Sequence, residues 1–250
     1  MLRLRCIRTI CILASFLSNL FCIAEASEYH ISLGINPPYT IKLDNKNPEG
    51  IFLEIIHEAL NNSNIKLTID NKEIPWKRAH ENKEENNLLF YLSRTPAREK
   101  NYTWIVSLFR DEPVLTNLND SIVIKKTEDL KQIKKIGAIA GGGGESFLKS
   151  NGLVKNFYSC KDETQCYNLL LENKIEAVIS PQVKAKFVVK KLKIDHLVKS
   201  SKGLSAVEGW LASTLNMSQK NQVELKNAIQ KFKKTSRYEN ILKKYQANRP

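Results

Sequence analysis

From residue 31 onward the chain alternates apolar runs of strand length with segments of helical spacing. That alternation constrains the fold more than any single motif. Strand patterns fall at 31–35, 65–69, 88–92, 104–109, 133–139, 153–158, 175–179 and 207–213, each short and bounded by turn residues. Between them lie helical patterns. Phe52, Ile55, Ile56, Ala59 and Leu60 recur at helical spacing, Pro75 opens a segment to His80, and further helices are expected at 145 onward, 162–171 and 181–192. Leu225, Ala228, Ile229 and Phe232, then Tyr238, Ile241, Leu242 and Tyr245, form two closing helices. Repeated βα units predict an α/β fold of mainly parallel sheets flanked by helices, with ligands beyond the carboxyl ends of the strands. A long extended stretch at 114–124 interrupts the alternation and leads into a second half in which it repeats.

Residues 1–26 read as a cleavable secretory signal rather than as part of the fold. Arg3, Arg5 and Arg8 precede an apolar stretch at 10–24, and Ala24-Glu25-Ala26 offers small residues at the cleavage site. The apolar stretch is shorter than the ~20 residues a spanning helix needs, so export to the periplasm is expected. Export leaves Cys160 and Cys166 as the cysteines of the mature chain. Asp162 reads as a helix N-cap with Gln165 as its capping-box partner, which brings the two cysteines near each other across the cap. A disulfide is expected there, two reduced thiols being the alternative.

The formal charge is +13, or +11 once three arginines and Glu25 are removed. The excess is lysine scattered along the chain, as in Lys190-Lys191-Leu192-Lys193, and reads mostly as solvated helix faces. No basic-aromatic motif points to nucleic acid. His30, His57, His80 and His196 are too dispersed to ligate a metal, and no cofactor motif is present. The glycine run at 141–144 lacks the Gly-Lys-Ser/Thr of a P-loop.

Six stretches in order carry a family likeness: Asn36-Pro37-Pro38-Tyr39, Pro48-Glu49-Gly50-Ile51-Phe52, Pro75-Trp76-Lys77-Arg78-Ala79, Ser93-Arg94-Thr95-Pro96-Ala97-Arg98-Glu99-Lys100, Ile136-Gly137-Ala138-Ile139-Ala140-Gly141, and residues 170–179. Together they resemble the extracellular solute-binding proteins of family 3, the amino-acid-type receptors of ABC importers. The resemblance implies a type II periplasmic binding fold: two lobes joined by hinge strands, closing on a ligand. Lobe 1 would be residues 27–119 and 206–250, and lobe 2 residues 120–205. The expected ligand is small, polar and carboxylate-bearing, an amino acid or a relative. The expected partner is the importer's membrane permease, and the receptor would be a monomer without catalytic residues.

The same likeness nominates the site. Arg98, three residues after Thr95 and five after Ser93, would grip the carboxylate with its planar fork. Without the resemblance it reads as a surface arginine in a charged loop with Glu99 and Lys100. Tyr39 and Trp76 would be aromatic walls, core packing being the alternative for each, and Arg78 could reach the cleft. Gly142, Gly143 and Gly144, followed by Glu145 and Ser146, would present a helix N-terminus from the opposite lobe. Family members carry an acid after the strand equivalent to 175–179, and Ser180-Pro181 stands there instead. A ligand ammonium would then need Glu145 as counter-ion, or the ligand would have none. A dehydratase-like enzyme on the same fold, with Glu145 as its acid, and a sensory receptor for a membrane partner are the alternative functions.

Overall fold

The computed structural model describes residues 27–31, 33–61, 63, 65–70, 89–118 and 122–250. The signal segment, Trp76 and Arg78 lie outside these residues, as does the helix expected at 75–80.

Three sheets organise the fold. Strands β1 (Ser27–Ile31) and β2 (Ile65–Ile69) pair in parallel, linked through helix α1 (Ile51–Asn61). Strands β3 (Leu89–Ser93) and β4 (Thr103–Arg110) flank β10 (Glu208–Ser213), which runs antiparallel to both. A five-stranded sheet has the order β7-β6-β8-β5-β9, from β5 (Pro113–Leu118), β6 (Ile136–Ile139), β7 (Phe157–Cys160), β8 (Ala177–Pro181) and β9 (Val198–Ser200). Helices α2 (Gly143–Ser150), α3 (Glu163–Leu171) and α4 (Gln182–Leu192) accompany this sheet. Helices α5 (Gln219–Phe232) and α6 (Ser236–Lys244) return to the first body.

The expected α/β architecture is present, with one refinement of strand direction. Strands joined through helices are parallel, as β6 is to β7 and β8. The strands that cross between bodies are not: β5 is antiparallel to β8 and β9, and β10 to β3 and β4. A strand that enters a sheet without a crossover helix is free to take the antiparallel direction.

Several strand positions also differ from expectation. The strand expected at 153–158 begins only at Phe157, because Val154–Asn156 close a 3₁₀ turn, the run expected at 31–35 is not strand at 33–35, and β9 is not among the expected strands. β1 starts at Ser27, four residues before the pattern was legible, because its alternate residues Tyr29 and Ile31 are fully buried while polar Glu28 and His30 disguise the run. Of the extended stretch at 114–124, residues 114–118 are strand and 122–124 are not. The passage between bodies is made earlier, by Asp111 and Glu112, the two residues between β4 and β5.

Each body has its own core. In the first, Phe52, Ile55 and Ile56 of α1 pack with Tyr29, Phe90, Phe109, Leu211, Leu225 and Tyr238. In the second, period-two alternation sends Ala177 and Ile179 to the face covered by α2, and Val178 to the face that holds Tyr167, Leu170 and Val188 of α3 and α4. Burying each large apolar side chain contributes roughly 1.5–3 kcal/mol against chain entropy. Val183 is the exception in placement: it belongs to α4 yet packs into the first body's core, so α4 leads with its N-terminus into the junction.

Candidate functional site

The junction is organised around Asp111, which is 1% exposed. Its Oδ2 accepts hydrogen bonds from the hydroxyls of Tyr39 and Tyr91, each at 2.6 Å. Its Oδ1 accepts from the Val183 N–H at 3.0 Å. Pro181, the residue before α4, has no side chain able to cap it, so Asp111 supplies the cap from the link between β4 and β5. The two rings stack with centroids 4.3 Å apart. Burial pushes the Asp111 carboxyl up from its ordinary value, opposed by the two hydroxyls and the amide. Burial and the Asp111 charge push both phenols well above theirs.

In front of this node lies a cavity of about 370 Å³. The first body lines it with Asn36, Tyr39, Tyr91, Ser93 and Arg98, and the second with residues 139–144, Lys161, Asp162, Glu163, Ser180, Pro181 and Lys184. A second chamber of about 490 Å³ shares Ser93, Gly143 and Pro181 with it and is bordered by Thr95, Pro96, Ala97, Ser146 and Phe147.

Arg98 occupies a short 3₁₀ turn (Pro96–Asn101) whose proline sits at its start. Its backbone N–H donates to Thr95 O at 2.9 Å, and its Nη1 donates to Ser93 O at 3.2 Å. The neighbouring acid does not pair with it. Glu99 instead takes a two-pronged bond from Arg94, whose guanidinium lies 4.4 Å over the Trp210 ring. Arg98 is therefore half-buried at the cavity without a carboxylate partner among the described residues, and burial lowers its affinity for the proton. The charged-loop alternative fits Arg94 rather than Arg98.

On the opposite wall, β6 ends in the glycine turn. Gly141 takes a left-handed φ of +72°, and Gly142 stands at the N-cap of α2. A Cβ on Gly144 would lie 2.4 Å from Ile179 O, so only glycine lets α2 approach β8 this closely. The first N–H groups of α2 have no intrahelical acceptor and border the cavity.

The nominated residues thus separate into groups. Tyr39, Ser93, Arg98, Gly142, Gly143, Gly144 and Ser180 come together around one cavity. Tyr39 is both wall and core, 3% exposed. Thr95 and Ser146 border the adjoining chamber instead. Glu145 is not brought to the cavity: its carboxylate accepts from the Gly141 N–H and pairs with Lys149 Nζ at 2.6 Å, which together lower its pKa. A glutamate one turn before a lysine satisfies the helix locally, so it has no reason to reach across the cleft.

Six polar lining or supporting residues were not singled out from sequence: Asn36, Tyr91, Asp111, Lys161, Glu163 and Lys184. Asp111 had a weak signal, an acid at the end of a strand before Pro113. Lys184 had none, being one lysine among many on a helix. The expected disulfide is present between Cys160 and Cys166, with Cα atoms 5.5 Å apart, packed against Gly137 of β6. The helix it borders starts as expected. Asp162 accepts from the Gln165 N–H at 2.8 Å, while Gln165 reaches back to the Lys161 N–H, one residue beyond the box partner. Among the described residues no cluster of metal-ligating side chains occurs, and no helix is long and apolar enough to cross a membrane.

No family model matches the chain, and no curated protein does. Solved structures do. A histidine kinase sensor domain with similarity to periplasmic binding proteins superposes with a TM-score of 0.72 over 91% of this chain and 100% of its own, at 15% identity. The chain has the two-lobed fold of the periplasmic binding proteins. The GluR0 ligand-binding core from Nostoc punctiforme, solved with (L)-glutamate, gives a TM-score of 0.68 at 16% identity, covering 87% and 98%. A structure from work on glutathione import via GshT and the cystine ABC importer TcyBC of Streptococcus mutans gives 0.66 at 17% identity, covering 88% and 94%. In this fold, the cavity in front of Asp111 is the cleft between the lobes.

Proposed function

We propose that this protein is an exported solute-binding protein. It captures a small polar, carboxylate-bearing ligand between its lobes and presents it to the permease of an ABC importer in the cell envelope. Lobe 1 is taken as residues 27–112 and 206–250, and lobe 2 as residues 113–205, with the crossing at Asp111 and Glu112. The observation that carries the reading is the cavity lined from both bodies, with Arg98 uncommitted on one wall and the α2 N-terminus on the other. Such an arrangement offers a carboxylate a planar fork on one side and backbone N–H groups on the other. The neighbours named for glutamate binding and for an ABC importer support it. The enzyme alternative loses its candidate acid, since Glu145 is tied to Gly141 and Lys149. A sensory role draws support from the histidine kinase sensor domain among the neighbours, and uses the same cleft.

A thermal-shift screen of amino acids, organic acids, polyamines and sugars against the purified mature chain tests the reading. A ligand at a hundredfold excess over Kd stabilises by about 2.7 kcal/mol, which raises Tm by roughly 5–10 °C. A carboxylate that raises Tm without being consumed is the expected result. No stabilising compound in any class, or a stabilising compound that is converted on incubation, would overturn it.

A further inference from the structure

Lys184 stands in the first turn of α4 with 7% of its surface exposed, on the wall of the cavity. Three groups receive its ammonium. Nζ lies 5.2 Å over the Tyr39 ring and 3.6 Å from Glu163 Oε1, and it donates to Asn36 Oδ1. An aromatic face, a carboxylate and a neutral amide oxygen are together what a ligand's own ammonium would need in a desolvated site. Here all three are already used by the protein.

Among the described residues, the other acids near the cavity give no second place for a cation. Asp162 caps α3 through Gln165. Asp111 borders the adjoining chamber, but its carboxylate already accepts three hydrogen bonds. Ser180 and Pro181 bring no charge to the end of β8. Arg98 and Lys161 add positive charge to the same lining. An ammonium that entered beside Tyr39 and Glu163 would meet Lys184 at contact range, where like charges repel strongly out of water.

Resting on the solute-binding reading above, we propose that the cavity takes carboxylates that carry no ammonium, organic acids rather than α-amino acids, because the tethered ammonium of Lys184 fills the cation's place. Arg98 and the α2 N-terminus then hold the acid group, and Lys184 can take a second acceptor of the ligand.

Matched pairs that differ only in the α-ammonium test this by calorimetric titration: succinate against L-aspartate, glutarate against L-glutamate, 4-methylpentanoate against L-leucine, and 3-phenylpropanoate against L-phenylalanine. The wild-type protein should bind at least one acid tenfold or more tightly than its amino twin. Lys184→Met keeps the length of the side chain and removes its charge, which frees Glu163 and the Tyr39 face. It should cut that preference at least tenfold. Lys184→Gln provides the same readout if the methionine variant does not fold. An amino acid that binds wild type as tightly as its twin, or a preference unchanged in a folded variant, overturns the proposal. If a polyamine or sugar binds while every pair fails, this inference and the carboxylate ligand fall, and only the solute-binding role stands. If nothing binds, both fall.

Discussion

Asp111 concentrates more of the junction's energetics than any residue that touches the cavity. One carboxylate receives two tyrosine hydroxyls from the first body and the leading amide of α4 from the second. Asp111→Ala leaves all three donors buried without an acceptor, a loss of about 3–5 kcal/mol. Tyr39→Phe removes one donor while Tyr91 and Val183 still satisfy the acid, a loss of about 1 kcal/mol. Differential scanning calorimetry should therefore find Tm lowered on the order of 10 °C by the first change and a few degrees by the second. Equal, small effects would mean that Asp111 is not the pin between the bodies. Of the residues around this pin, Tyr39 was nominated by the family resemblance, as the aromatic ring after Pro37-Pro38. Lys184 was not. A lysine in a lysine-rich helix carries no mark of burial, and its burial comes from Val183 docking in the other body. Arg98 was legible only by resemblance. What separates it from Arg94 in one charged loop is that Glu99 and the Trp210 face take Arg94.

The helices expected at 162–171 and in the closing segment are present, whereas the strand expected at 153–158 begins only at Phe157. α3 begins at Glu163 because Asp162 caps it, and α5 and α6 begin after Ser218 and Thr235, whose hydroxyls accept from the Asn221 and Tyr238 N–H groups. Elements whose placement depends on partners carry no such local signature. β1 is recognised as a strand only through its parallel pairing with β2, and the crossing at Asp111 and Glu112 only through the sheets on either side. The Cys160–Cys166 bridge joins the end of β7 to the second turn of α3 and closes a very short loop. On the chain-entropy account it stabilises by about 2 kcal/mol. Thiol counting under denaturing, non-reducing conditions should find no free thiol in the mature chain, and dithiothreitol should lower Tm by about 5 °C. Two free thiols, or a Tm indifferent to reduction, would contradict the bridge or its worth.

At the scale of the whole molecule, the account requires that one ligand be held from both lobes at once. Neither wall is sufficient alone. Arg98 comes from a 3₁₀ turn beside β3, and the amides at the start of α2 come from the end of β6 in the other sheet. A ligand bound by one wall would leave the two bodies energetically independent, and no closure would follow from binding. The direct measurement is one calorimetric titration series, with the carboxylate that raises Tm most, against wild type, Arg98→Ala and Gly143→Asp. The first variant removes the fork from lobe 1. The second sets an anion at the α2 N-terminus in lobe 2, where a Cβ meets only Pro181 Cγ at 3.6 Å and a first-turn acid favours the helix, so the fold is kept. Each change should weaken the same ligand by thirtyfold or more, the scale of about 2 kcal/mol or above for a desolvated charge left without its partner. A variant of either wall that binds as tightly as wild type would contradict capture between the lobes.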